Sequence, residues 1–258
     1  DLVARRRIDL NADAGESFGP WRMGADERLF PHLSSVNVAC GFHAGDPVTM
    51  RRSVLLAREH AVAVGAHPGF PDTAGFGRRD LAMSEDELHA AVLYQLGALD
   101  AFLRRHGDRL HHVKAHGALH HRIARDEAAA DAVAGAVHDF DAALPFVVLG
   151  GPGGALMRAA AERHGLRPVA EGFPDRAYLA DGRLAPRQLD GSVVGDADVV
   201  ATRALRMARE GAVEAIDGSL VRLEVETLCL HGDTPGAHDA AATVRTALEH
   251  GGLEVRPF

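Results

Sequence analysis

Along the chain, short runs of β-branched and apolar residues alternate with longer stretches in which apolar positions recur every three or four residues. This is the pattern of a parallel α/β fold, where each strand is followed by a helix that carries the chain back to the same end of the sheet. Strands are predicted over residues 8–12, 35–39, 62–66, 112–115, 146–149, 167–170 and 227–230, seven in all. Helices are predicted over residues 47–60, 84–106, 126–140, 155–164, 197–210 and 237–249. Asp46 stands where the first of these needs an N-cap, and Ser84 with Glu87 has the spacing of a capping box. Residues 173–196 break the rhythm with Gly, Pro and charged side chains, and read as an irregular excursion with room for a short hairpin. No linker or repeat divides the chain, and α/β barrels reach this length as one unit, so a single domain over residues 1–258 is expected.

Successive side chains on a strand point to opposite faces, which sorts the polar residues into sets. On the first strand Ile8, Leu10 and Ala12 oppose Asp9, Asn11 and Asp13. On the second, Val36, Val38, Cys40 and Phe42 oppose Asn37, Ala39, Gly41 and, if extension persists, His43. The third sets Val62, Val64 and Ala66 against Ala63, Gly65 and His67; the fourth aligns His112, Lys114 and His116; the last aligns Cys229, His231 and Asp233. One face is apolar enough to pack under helices, while the other mixes small residues with ionisable ones. A barrel interior with a deep polar site at the C-terminal ends of its strands has this character. Buried charges there must pair, hold water or hold a ligand.

Composition narrows the classes. A formal net charge of −8 argues against a nucleic-acid footprint, and no apolar run approaches the roughly 20 residues of a membrane span. Cys40 and Cys229 are too few for a disulfide framework, and no secretory signal pattern precedes Ile8, so a cytoplasmic protein is expected. Among 28 Lys and Arg residues Lys114 is the sole lysine, and its compact ammonium offers chemistry that a guanidinium does not. Gly150-Gly-Pro-Gly-Gly154 precedes a predicted helix, so the amides around Gly151, Gly153 and Gly154 could receive a phosphate or carboxylate; a plain tight turn fits equally well. It is not a Walker loop, because no lysine follows. Residues 70–79, ending in Arg78 and Arg79, read as a loop over the site.

The motifs Asp9-Leu-Asn-Ala-Asp13, Ala39-Cys-Gly-Phe-His-Ala-Gly-Asp46, Gly65-Ala-His-Pro-Gly-Phe-Pro-Asp72, Phe76-Gly-Arg78, Val113-Lys-Ala-His-Gly-Ala-Leu119, Asp175-Arg176 with Asp181-Gly182, and Cys229-Leu-His-Gly-Asp233 occur in order along nearly the whole chain. In these the sequence resembles the LamB/YcsF family. It departs from the family where Ala115 replaces a usual Pro and where His120 and His121 replace Tyr-Asn. The resemblance implies an irregular seven-stranded βα barrel of the glycoside hydrolase/deacetylase kind. It also implies opening of the 5-oxoproline lactam to L-glutamate, driven by ATP as co-substrate with Mg, in a complex with two further subunits, B and C.

On that basis Lys114 or Arg176 meets anionic oxygens, His43, His67 and His116 are candidates for proton transfer or metal ligation, His231 is a further catalytic candidate, and Asp13, Asp46 and Asp233 are orienting carboxylates or bases. Asn11, Glu16, Arg78, Asp175 and Arg176 are the expected substrate contacts. Two other readings stay open. Asp13, His43 and His67 could form a three-ligand metal site, giving a metal-dependent amide hydrolase or deacetylase. The chain could instead bind oxoproline while partner subunits perform the chemistry. Helix faces rich in Ala and Arg leave homo-oligomerisation open.

Overall fold

The computed structural model describes residues 6–232 and 236–258. Its elements in chain order are β1 (Arg7–Ala14), α1 (Asp26–Leu29), β2 (Ser35–Ala39), α2 (Pro47–Glu59), β3 (Ala63–His67), α3 (Glu85–Arg104), β4 (His112–Val113), α4 (Gly117–Ile123), α5 (Glu127–Phe140) and β5 (Phe146–Leu149). There follow α6 (Ala155–Arg163), β6 (Pro168–Gly172), α7 (Ala197–Glu210), β7 (Ala212–Glu214), β8 (Leu220–Arg222), β9 (Thr227–Leu230), α8 (Ala237–His250) and β10 (Glu254–Val255). Seven parallel strands run β1-β2-β3-β4-β5-β6-β9, and β9 returns to pair with β1, closing the barrel. β10 adds to the N-terminal end of β1 through Arg7 and Ile8.

Each predicted strand is present, with its ends shifted by a few residues. β4 has only two residues with strand geometry, yet its register continues: Lys114 N donates to Ala66 O at 2.9 Å and His116 N to Pro68 O at 2.9 Å. That continuation keeps His112, Lys114 and His116 on one face. The outward residues Leu10, Val36, Val38, Val64 and Val148 are buried beneath the helices. On α3, Leu88, Val92, Leu96, Leu99 and Leu103 recur at helical spacing and are buried; each such side chain contributes about 1.5–3 kcal/mol by leaving water. Ser84 closes the expected capping box with Glu87, satisfying amides at the start of α3. No helix among the described residues is long and apolar enough to cross a membrane.

Three corrections concern secondary structure. α4 begins at Gly117, directly after His116, where no helix is predicted. The antiparallel pair β7–β8 lies at residues 212–222, outside the segment given room for a hairpin. Within residues 173–196 only the isolated bridges Arg176–Val193 and Tyr178–Leu184 form, and the segment folds over the mouth of the barrel. Asp233 lies outside the described residues.

Candidate active site

β1 sends Asp9, Asn11 and Asp13 into the barrel at three successive depths. The deepest, Asp9, accepts from Ser34 Oγ at 2.6 Å, Ser35 Oγ at 2.8 Å and Thr227 Oγ1 at 2.5 Å. Burial nonetheless pushes its carboxyl up to about 6, with those hydroxyls opposing the shift. Above it, Asn11 Nδ2 donates to Glu171 Oε1 at 3.0 Å and Thr227 Oγ1 at 2.5 Å. Asn37 Nδ2 donates to Asn11 Oδ1 at 2.7 Å and Asp13 Oδ1 at 2.9 Å, while Asn37 Oδ1 accepts from His112 Nε2 at 2.7 Å. The expected substrate contact Asn11 is therefore committed to the barrel's internal network.

Lys114 sits at the boundary between this network and the cavity above it. Its Nζ lies 3.0 Å from Asp13 Oδ1, 3.1 Å from Glu171 Oε1 and 2.9 Å from Cys229 Sγ. Burial opposes its charge, but Asp13, Cys229 and Glu171 outweigh it and hold the ammonium well above its ordinary range. Burial likewise works against the Asp13 carboxylate, yet His67 and Lys114 keep it well below the usual range. The residue is thus a fixed cation, suited to stabilising negative charge rather than to acting as a nucleophile. Glu171 falls just past the predicted strand, which ends at residue 170; a charged residue following Pro168-Val-Ala was the available signal.

The cavity occupies about 560 Å³, with Asp13, Glu16, His67, Lys114 and His116 at its floor and Arg78, Arg176, Arg187 and His231 on its walls. His67 Nδ1 lies 2.9 Å from Lys114 O and its Nε2 3.3 Å from Asp13 Oδ2. His116 Nε2 lies 2.8 Å from Phe76 O, and its Nδ1 is 3.1 Å from His67 Nε2 and 3.9 Å from Glu16 Oε1. His43 is fully buried with neither ring nitrogen hydrogen-bonded; its Nε2 is 3.6 Å from Glu16 Oε1. Burial, then the neighbouring His116 and His67, holds the His43 ring well below its ordinary range, and burial with His67 brings His116 down to about 3. Both rings are neutral near pH 7.

Glu16, His43, His67 and His116 each place a ligand atom within 4.8 Å of the others, so this group could hold a metal ion. The expected set of Asp13, His43 and His67 is thereby corrected: Glu16 and His116 join, and Asp13 stands beside His67. Strand alternation could not place Glu16, because the chain turns at Gly15 (φ +68°) and swings the next side chain in beside the histidines. Extension does not persist from β2 to His43 either; Gly41 has φ +95°, and the turn rather than the strand delivers the ring.

Several other expectations resolve differently. Asp46 is the N-cap of α2, accepting from Thr49 N at 2.8 Å and from Gly19 N at 2.7 Å, and does not line the cavity. Asp175 accepts from His231 N at 2.9 Å and lies 2.8 Å from His231 Nδ1, so it orients that ring. Arg78 lines the cavity with its guanidinium 5.0 Å from the Phe76 ring centroid. Arg176, 3% exposed, donates to Ser192 O and Ala185 O; among the described residues no carboxylate pairs with it. Burial and the nearby Arg187 bring it down to about 10, so it remains charged. Gly151, Gly153 and Gly154 do not line the cavity: a Cβ on Gly154 would lie 1.7 Å from Leu149 O, and one on Gly153 2.6 Å from Gly182 O. These glycines admit the protein's own backbone, which removes the reason to read the loop as a phosphate cradle.

A closed parallel βα barrel that gathers a buried lysine, three histidines and carboxylates at its strand ends has the architecture in which barrel enzymes carry their active sites. The chain belongs to the LamB/YcsF family, whose model matches residues 8–258. It is similar to the A component of 5-oxoprolinase from Thermus thermophilus, 54% identical over 252 residues that cover 98% of this chain and 100% of the relative. The corresponding 5-oxoprolinase component of Deinococcus radiodurans is 53% identical, covering 95% of each chain. The crystal structure of the lactam utilization protein from Thermus thermophilus superposes with a TM-score of 0.92 at 54% identity, covering 98% of this chain and 100% of that one.

Proposed function

We propose that this chain opens the lactam of 5-oxoproline to L-glutamate as the A component of an ATP-driven cytoplasmic complex with two further subunits, B and C. The observation that carries the reading is a buried arginine, Arg176, that no carboxylate among the described residues pairs with, sharing one cavity with the fixed cation Lys114. The full-length similarity to proteins named as the A component of 5-oxoprolinase supports the choice of substrate. A guanidinium buried without an anion is costly, and a substrate carboxylate would relieve that cost.

The chemistry needs help because a five-membered lactam keeps its amide resonance and gains little from ring opening. Transfer of the γ-phosphoryl group of Mg-bound ATP to the lactam oxygen releases ADP and makes the ring carbon a better electrophile. Water adds there, the C–N bond breaks as nitrogen takes a proton, and a second water hydrolyses the resulting acyl phosphate to L-glutamate and phosphate. In this reading Lys114 stabilises the developing negative charge, and Asp13, 3.3 Å from His67, is the group assigned to move the proton. The test is glutamate formation from 5-oxoproline by subunits B and C with and without this chain, with and without ATP. An unchanged rate when this chain is omitted would remove the reading; ring opening by this chain alone without ATP would favour the amide-hydrolase alternative, for which the histidine cluster argues.

A further inference from the structure

The two histidines at the cavity floor, His67 and His116, and the buried His43 stacked on His116 differ in how their hydrogen-bonding capacity is used. Lys114 O and Phe76 O are carbonyl oxygens and only accept, so His67 carries its proton on Nδ1 and His116 on Nε2. The remaining nitrogens, His67 Nε2 and His116 Nδ1, then face each other at 3.1 Å. Around them stand further acceptors: Asp13 Oδ2 at 3.3 Å from His67 Nε2, and Glu16 Oε1 at 3.9 Å from His116 Nδ1. His67 Nε2, His116 Nδ1 and a Glu16 carboxylate oxygen all lie within 4.8 Å of one another, close enough for one cation to bridge them. A tetrahedral ion with bonds of about 2.0–2.1 Å holds its ligand atoms about 3.3–3.4 Å apart, and the separations here bracket that spacing.

Ring geometry decides which histidines take part. An imidazole nitrogen binds a metal in the plane of its ring. The His67 and His116 planes cross at 85°, so one ion can lie in both. The His43 and His116 rings are parallel within 4° with centroids 3.6 Å apart, so an ion in the plane of one lies out of the plane of the other. The outer hydrogen bonds point the same way. A metal-bound histidine nearly always donates its second N–H to a carbonyl or carboxylate, as His67 and His116 do and His43 does not.

We propose that the cavity floor is a divalent-metal centre in which His67 Nε2 and His116 Nδ1 are the nitrogen ligands, Glu16 supplies a carboxylate oxygen, Asp13 stands beside His67, and His43 stays outside the coordination sphere, stacked on His116. Two nitrogens and one carboxylate oxygen, with a position left for water, suit a borderline ion of the zinc or cobalt class, which when bound would polarise a carbonyl or a water. The proposal also accounts for backbone strain in the loop above. Phe76 adopts φ +54°, a left-handed conformation unfavourable for a residue with a side chain, and that turn presents its carbonyl to His116 Nε2. Gly77 follows at φ +63° with no space for a Cβ, which would meet His43 Cβ at 2.7 Å and His116 Cδ2 at 2.8 Å. The loop presses on the rings and fixes the tautomer that leaves His116 Nδ1 bare.

The test is titration of the metal-stripped chain with Co²⁺, following its visible d–d absorption and the heat of binding, with no substrate, ATP or partner protein present. The outcome therefore stands apart from the ring-opening reading. One ion per chain is expected, with an absorption typical of a four- or five-coordinate nitrogen and oxygen site. His67→Ala and His116→Ala should each weaken binding at least about 100-fold, and Glu16→Gln at least about tenfold. His43→Phe, which keeps the stack, should stay within about threefold of the parent and retain the absorption band. Circular dichroism checks each fold, with His67→Gln and His116→Gln replacing any alanine variant that does not fold. Absence of saturable binding by the parent chain would overturn the centre, and loss of binding in folded His43→Phe equal to that in His116→Ala would overturn the ligand assignment.

Discussion

The lower and upper halves of the barrel interior are built from the same residue types and behave as opposites. Below Lys114, Asp9 meets three hydroxyls, Asn11 and Asn37 interlock through their amides, and His112 donates into Asn37; among the described residues Glu171 Oε2 is the one buried side-chain atom of that layer left without a hydrogen bond. Above Lys114, among the described residues, His67 Nε2 and His116 Nδ1 face each other at 3.1 Å, His43 has no hydrogen-bonding partner, and the buried Arg176 guanidinium pairs with no carboxylate. A matched buried network specifies how the strands register, whereas a mismatched one costs stability that only a ligand returns. The difference separates polar residues that build the barrel from those that serve its cavity.

Lys114 joins the two layers, so its removal should give the largest effect. Lys114→Ala leaves Asp13 and Glu171 as neighbouring buried carboxylates without their cation, a loss expected to cost about 3–5 kcal/mol in denaturant unfolding. Ring opening by the reconstituted complex should fall at least about 100-fold, the scale for removing one stabiliser of developing negative charge. Lys114→Met keeps the stem and separates the two roles. Full activity in either folded variant would place the fixed cation with the structural layer alone.

Much of this division was legible from alternation. Asp9, Asn11 and Asp13, then Lys114 and His116, fall on one strand face in the sequence and line one barrel interior in the structure. Alternation carries no information about depth, however, so it could not tell that Asn11 is sealed beneath Lys114 while Asp13 reaches the cavity. It also fails once a strand ends. Glu16 and Asp46 both follow glycine turns, and the turns send one into the histidine cluster and the other to the start of α2. α4 was invisible because its seven residues are too few to show a clear apolar period and include two histidines. The glycines at 151, 153 and 154 looked like a ligand cradle because close approach to backbone and close approach to a ligand leave the same mark in a sequence.

Asp9 tests the matched layer through pH. Its folded-state value is raised to about 6 from 3.8, so the protonated carboxyl favours the fold: that stability is complete below about pH 4 and is lost as pH rises through about 6. The full shift corresponds to roughly 3 kcal/mol. Asp9→Asn should flatten the unfolding free energy across that window. An unchanged pH profile would mean that the hydroxyls offset the burial cost and that the layer is matched even for the anion.

Arg176 tests the mismatched layer. Arg176→Ala should raise the KM for 5-oxoproline about 10–100-fold while changing kcat much less, since a substrate carboxylate is bound equally in ground and transition states. It should also leave unfolding stability near that of the parent, because the substitution removes an uncompensated buried charge. A large loss of stability with KM unchanged would move Arg176 into the structural set, tying down residues 173–196 through Ser192 O and Ala185 O.

The smallest expected effect belongs to a residue in neither layer. Asp46 caps α2 and holds Gly19 N, so Asp46→Ala should cost about 1 kcal/mol in unfolding. Asp46→Asn should recover most of that, because its carbonyl oxygen still accepts from Thr49 N, although its amide nitrogen cannot accept from Gly19 N. Ring opening and Co²⁺ affinity should stay within about twofold in both variants, a change worth less than about 0.5 kcal/mol. Glu16 lies only a few residues before Gly19, so slackening of that segment would be felt at the cavity floor before it was felt in overall stability. A selective drop in Co²⁺ affinity in Asp46→Ala, rescued by Asp46→Asn, would therefore show that the cap positions the Glu16 carboxylate, and the line between building residues and serving residues would have to be drawn through α2 as well as through Lys114.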